Sequence, residues 1–162
     1  MPQDTPLHKA ANEGCVEDIQ EELAQGANVN AKGAQGRTAL HRALGVGNLP
    51  CVEELLSNNA DPGIDDGMKR TALHWAVAGK SMECLSILFE DGNKGMEMIN
   101  KQSKSEMTAL HFAVSQSLSE MATYLIKKGA DITLKDEDSK TAFKIAKDMK
   151  IHKSIEFPKG AK

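Results

Sequence analysis

Aromatic side chains are scarce in this chain. One Trp, one Tyr and four Phe make up 4% of 162 residues, so each aromatic position carries information. Long apolar runs are missing as well. No stretch approaches the roughly 18 consecutive apolar residues that a membrane span needs, and the opening MPQDTPLHKAANEG lacks the basic and apolar regions of a signal peptide. An intracellular protein is expected, cytoplasmic with the nucleus as the other compartment. Cysteine is limited to three residues, an odd count that a reducing compartment keeps as thiols. The formal charge of −3 provides no overall attraction to nucleic acid or an acidic membrane. The length suits one well-buried domain or a short repeat array, and two independent domains would be cramped.

What the chain has in quantity is repetition. TPLH starts at Thr5, TALH at Thr38, Thr71 and Thr108, and TAFK at Thr141, so the spacings are 33, 33, 37 and 33 residues. Each threonine is a helix N-cap candidate whose hydroxyl can accept a bond from a first-turn amide, and Pro6 suits the first helical position, where no amide partner is lost. The helix that follows is expected to bury Leu7, Leu40, Leu73, Leu110 and Phe143 along one side. Three places later Ala10, Ala43, Ala76, Ala113 and Ala146 leave room for neighbouring helices to approach. A second helix carries larger apolar residues at helical spacing: Val52, Leu55 and Leu56, then Leu85, Leu88 and Phe89, then Met121, Leu125 and Ile126. Its end is expected at Gly26, Gly92 and Gly129, in left-handed caps.

A 33-residue period built on this tetrad, followed by small residues, an amphipathic stretch and GANVN or GADIT, resembles the ankyrin repeat. The resemblance covers the chain from Asp4 to about Phe157. It divides residues 1–162, read as a single domain, into four full repeats at about 5–37, 38–70, 71–107 and 108–140 and a degraded cap at 141–157. The implied fold is all-α by content, a solenoid of stacked helix-turn-helix units with β-hairpin loops between them. Each unit is too small to bury its own face and must stack on its neighbours. Glu22 stands where later repeats have Leu55, Leu88 and Leu125, and Lys147 where Ala11, Leu44, Val77 and Val114 face the core. Both put charge where a further repeat would pack, so the chain is expected to be a whole small protein or a cleanly bounded domain.

Several groupings suggest chemistry and do not support it. His8, His41, His74 and His111 recur in successive repeats, whose helices should lie about 8 to 10 Å apart, whereas zinc ligands converge to about 2.0–2.3 Å of one ion. The imidazoles are expected to bond near the threonine caps and the adjoining loops. Cys51 and Cys84, also one period apart, should exceed the roughly 7 Å reach of a disulfide. GKS at Gly79–Ser81 has the wrong context for a phosphate loop: the required first glycine falls at His74, and a helix precedes it. Lys80 and Ser117 instead replace Gly14 and Gly47 in the turn between helices. No catalytic triad or carboxylate pair emerges, and neither an enzyme nor a cofactor is implied.

The residue after each tetrad changes: Lys9, Arg42, Trp75, Phe112 and Ile145. In the family this position projects onto the concave face, so it is expected to vary with a partner. Asn12, Glu13, Gly45, Val46, Ala78, Gly79, Ser115 and Gln116 should line the same groove, and the small residues of the middle repeats should leave Trp75 uncovered. Trp and Arg are enriched in binding hot spots. The fingers offer a second surface, with Lys32 in the basic AKGAQGR segment. Lys69, Glu106 and Ser139 stand where the family favours the glycine kept at Gly36, and those three tips are expected to be distorted or mobile. Met96 and Met98, in the longer third connection NKGMEMI, either offer adaptable contacts or fold back over the nearest helix. The last 22 residues hold six lysines against Asp148 and Glu156, a pattern usual for a solvated face.

The resemblance implies a monomeric protein-binding module, an adaptor or an inhibitor, whose contacts are Lys9, Asn12, Lys32, Arg42, Val46, Trp75, Phe112 and Gln116. A nucleotide or RNA sensor is the alternative, with Trp75 and Phe112 stacking on bases and Lys9, Arg42 and Lys32 meeting phosphates.

Overall fold

The computed structural model describes residues 2–90 and 94–161. A helix follows every threonine of the repeated tetrad: α1 (Pro6–Glu13), α3 (Ala39–Val46), α5 (Ala72–Ala78), α8 (Ala109–Ser115) and α10 (Ala142–Asp148). Four of them are followed after a short turn by a second helix, α2 (Val16–Ala24), α4 (Leu49–Ser57), α6 (Met82–Glu90) and α9 (Ser119–Lys127). The first helices form one continuous row, α1 against α3, α3 against α5, α5 against α8 and α8 against α10, while α2 packs on α4 and α4 on α6. The tetrad leucines Leu7, Leu40, Leu73 and Leu110 are at most 1% exposed, and Ala10, Ala43, Ala76, Ala113 and Ala146 are all buried between the rows. Phe143 departs from the series: it is half-buried and meets Phe157 edge-on at 5.0 Å, because the chain after α10 folds back and seats Ile155 in the core.

The histidines explain the fidelity of the tetrad. The amides of Thr38, Thr71 and Thr108 donate to Nδ1 of His41, His74 and His111 at 3.0, 3.1 and 3.2 Å, while the hydroxyls of Thr38 and Thr108 accept from the amides of His41 and His111. Each ring therefore closes a reciprocal box at the start of its helix, as Glu or Gln does in the familiar version. The far nitrogen reaches the finger that leads into the next repeat. Nε2 of His74 donates to the Met107 carbonyl at 2.9 Å, that of His111 to Lys140 at 3.2 Å, and that of His8 to Ala31 and Arg37 at 3.1 and 3.0 Å. A backbone amide at Nδ1 and a carbonyl at Nε2 allow only the neutral Nε2–H tautomer.

Among the described residues, left-handed positions recur at three places of the repeat. The turn between helices holds Gly14 (φ 80°), Gly47 (φ 71°), Lys80 (φ 56°), Ser117 (φ 59°) and Lys150 (φ 62°), which bears out Lys80 and Ser117 as glycine replacements. After the second helix come Gly26 (φ 88°), Asn59 (φ 63°) and Gly129 (φ 96°); Gly92 lies outside the described residues. The finger tips form the third series, Gly36, Lys69, Glu106 and Ser139. The three non-glycine tips are not distorted: they take the same left-handed turn, at φ 56°, 56° and 61°.

That turn survives because each finger is closed and linked. Gly33, Asp66, Ser103 and Asp136 donate their amides to the carbonyls of Arg37, Arg70, Met107 and Lys140, and Gly67, Lys104 and Glu137 donate to Gln35, Met68 and Ser105 of the preceding finger. The loops thus have a hairpin's closing bond without a strand ladder, and a single bridge, Lys135 to Thr141, is the sole β pairing among the described residues. In the third connection α7 (Lys94–Met98) packs on α6. Met98 is buried there, while Met96 is 49% exposed; Asn93, at the start of that segment, lies outside the described residues.

Two outcomes follow from these geometries. Replacing Lys69 or Glu106 by Gly should stabilise the fold by about 0.5–1 kcal/mol in urea unfolding, since a left-handed non-glycine residue costs about 1–2 kcal/mol and glycine's added chain entropy offsets part of that. Burial holds His41 and His74 down at about 4, from an ordinary 6.5. Between pH about 6.5 and about 4 the unfolded chain takes up protons at these rings that the folded chain refuses, so their contribution lowers stability across that window and adds nothing further below it. The loss approaches about 3 kcal/mol per ring. Unfolding free energy measured against pH checks it, with a flat profile below pH about 6.5 as the contrary result.

Candidate functional site

Lys9 and Asn12 on α1, Val46 on α3 and Gln116 after α8 are exposed, and Arg42, Trp75, Phe112 and Ile145 are half-buried. The residue after the tetrad therefore keeps a solvent-facing edge in every repeat, while the preceding leucine and, in the first four repeats, histidine are sealed. Glu13, Ala78 and Ser115 are exposed beside it, whereas Gly45 and Gly79 are half-buried spacers. Gly79 lies so close to α3 that a Cβ there would meet the Leu44 carbonyl oxygen at 2.0 Å, and a Cβ on Gly45 would come within 2.9 Å of the Trp75 ring.

Trp75 is not uncovered. Small neighbours do not strip the indole; they let it lie down on Gly45. The guanidinium carbons of Arg37 and Arg70 stand 4.5 and 4.4 Å from its ring centroid, a cation–π arrangement. The indole N–H donates to Oδ2 of Asp66 at 3.2 Å. The Asp66 side chain is wholly buried, and Arg70 pairs with it at 2.8 Å; its Oδ1 accepts the amides of Met68 and Arg70. Burial alone would raise this carboxyl, but the bonds from Arg70 and Met68 outweigh it and hold the group below the ordinary carboxylate range. Phe112 is edge-on to His74 at 5.3 Å.

Arg42 is engaged as well. Its guanidinium donates to Oδ2 of Asp4 at 2.7 Å, and Oδ1 of Asp4 accepts the Ala34 amide at 2.9 Å. Asp4 fills the space that finger one leaves at Gly33, the counterpart of Asp66 and Asp136: a Cβ on Gly33 would lie 2.5 Å from the Asp4 carboxylate. Lys32 is exposed at the finger and donates to the Asp65 carbonyl at 2.9 Å.

Sequence reasoning passed over four of these residues: Asp4, Arg37, Asp66 and Arg70. The signal was one place upstream of the tetrad. Asp4, Arg37, Arg70, Met107 and Lys140 each precede a tetrad threonine, and twice that residue meets the fifth residue of the following repeat, as Asp4 with Arg42 and Arg37 with Trp75. An acid opposes a base and a cation opposes a ring. Variation after the tetrad is thus coupled in part to the neighbouring repeat.

Stacked pairs of antiparallel helices, reciprocal Thr–His caps and fingers linked one to the next define a repeat scaffold that displays one row of side chains. The model of the family described as ankyrin repeats (3 copies) matches residues 2–66 and 45–136, and the chain belongs to that family. Ankyrin repeats are in general protein–protein interaction modules. No helix among the described residues is long and apolar enough to cross a membrane.

Asp66→Ala should remove the acceptor of the indole and the partner of Arg70 together. Unfolding free energy should drop by about 2–3 kcal/mol, because a half-buried guanidinium and two amides lose their acceptor, and Trp75 emission should shift to the red. Unchanged emission would show that Asp66 does not seat the ring.

Proposed function

We propose that this chain is a non-enzymatic protein-binding module, an adaptor or inhibitor, that engages a partner protein through the concave groove and the fingers. Lys9, Asn12, Arg42, Val46, Trp75, Phe112 and Gln116 form the groove surface, with Lys32 on the finger beside it. The supporting observation is the contrast along each first helix. Leu40, His41, Leu73, His74, Leu110 and His111 are at most 1% exposed, yet the next residue keeps an open edge and Val46 is 48% exposed. An apolar side chain left open beside half-buried Trp and Arg suits a contact that excludes water.

Base stacking is the weaker reading. Arg37 and Arg70 already occupy the indole, so a nucleobase would have to displace a guanidinium, and Arg42 and Arg70 are matched by Asp4 and Asp66.

The test uses exposed positions, because Trp75 and Arg42 hold structural contacts and their loss would blur binding with folding. A partner is identified by cross-linking and mass spectrometry in the native cell and then purified. Val46→Glu with Gln116→Arg should weaken its binding by at least about tenfold, roughly 1.4 kcal/mol, while the melting temperature barely moves. Full affinity in the double variant would place the interface elsewhere.

A further inference from the structure

Arg37 and Arg70 lie over the ring of Trp75, Arg42 is close enough for its charge to act on Arg37, and the three are not equivalent. Arg42 is paired with Asp4 at 2.7 Å and Arg70 with Asp66 at 2.8 Å. Arg37 has no carboxylate within 4 Å among the described residues, and its guanidinium donates only to Oε1 of Gln35, an exposed neutral amide at the finger tip. Its Nε–H is buried with no acceptor, as is that of Arg42, so the difference between the two lies in the carboxylate that only Arg42 holds. A guanidinium has five N–H donors in a fixed fork, so most of the recognition capacity of Arg37 is unspent. Burial and the nearby charges of Arg42 and Arg70 hold Arg37 below its usual range, and Asp66 and Asp4 offset only part of this. The ring of Trp75 supports one guanidinium face and limits the motion lost on binding.

We propose that Arg37 anchors a carboxylate side chain from an acidic segment of a protein partner. A carboxylate accepts two parallel N–H bonds from the fork, and it supplies the charge that the Arg37, Arg42 and Arg70 cluster lacks. Gln35 lies at the surface and can yield its place. Met68, 46% exposed, lies on the second finger and donates its amide to Asp66, so the segment carries an apolar residue beside the acid. Nucleic acid suits the corner less well, since a phosphate chain needs a row of free cations and two of these three are already matched. This assignment rests on the groove reading above and adds the chemistry of what the groove takes.

The test probes the whole chain with a random peptide library displayed on phage, after which selected peptides are synthesised and titrated against the emission of Trp75, the sole tryptophan. Selected peptides should carry Asp or Glu. Arg37→Gln should weaken them about tenfold, as should replacing the peptide's acid by its amide against the unaltered protein. The two changes together should cost little more than either alone. The peptide arm needs no protein variant, so poor folding of Arg37→Gln cannot mask the result. Peptides without acids, or acids whose removal costs nothing, would overturn the assignment; if Val46→Glu still abolishes them, the groove reading stands. Peptides indifferent to both Val46→Glu and Arg37→Gln would overturn both. Oligouridylate that displaces the peptides with equal affinity and steep salt dependence would overturn it in favour of nucleic acid.

Discussion

The structure depends on a neutral imidazole that faces two ways. One nitrogen of His74 accepts from the amide of its own cap, Thr71, and the other donates to the Met107 carbonyl ahead of the next cap. The same ring thus starts a helix and ties one repeat to the next. A protonated ring would aim N–H at N–H, so the scaffold is built on histidines kept neutral by burial. Bonds of this kind are local in sequence at one end and roughly one period apart at the other, which is how a linear repeat acquires its spacing.

That spacing decides where variety is tolerated. The tetrad leucine packs between rows and the histidine is committed at both nitrogens, so neither can change without loosening two repeats. The next residue points past the stack and is free of those demands. It is not wholly free, because the side chain ahead of the preceding threonine reaches it: Asp4 meets Arg42, and Arg37 meets Trp75. Two positions of the displayed row are therefore paired. One pair is an ion pair, while in the other a guanidinium lies on an indole with no carboxylate within 4 Å among the described residues.

The periodic strain of the turns belongs to the same logic. Lys69, Glu106 and Ser139 hold a left-handed conformation that side chains disfavour because the finger on each is closed by its own amide and carbonyl and bonded to the finger before or after it. A locally unfavourable choice persists where its neighbours over-determine it. Reading those residues as signs of distortion follows from propensity alone, and propensity yields to the linked turns.

The five-fold recurrence of the tetrad made the helix starts, the stacked rows, the buried leucines and the structural role of the histidines legible, because each depends on contacts at fixed offsets within or between units. Lys80 and Ser117 could be recognised as turn residues by register alone. The surroundings of Trp75 could not be. Gly45, Arg37, Asp66 and Arg70 converge on it from two repeats, and whether small neighbours expose a ring or let it lie flat depends on which cation arrives above it. The fold-back of the chain after α10, which joins Phe157 to Phe143 and buries Ile155, is likewise aperiodic and has no counterpart to be read against. Periodic contacts repeat their own signal along the sequence, whereas a contact made once, between side chains distant in the chain, is settled only when the helices stack.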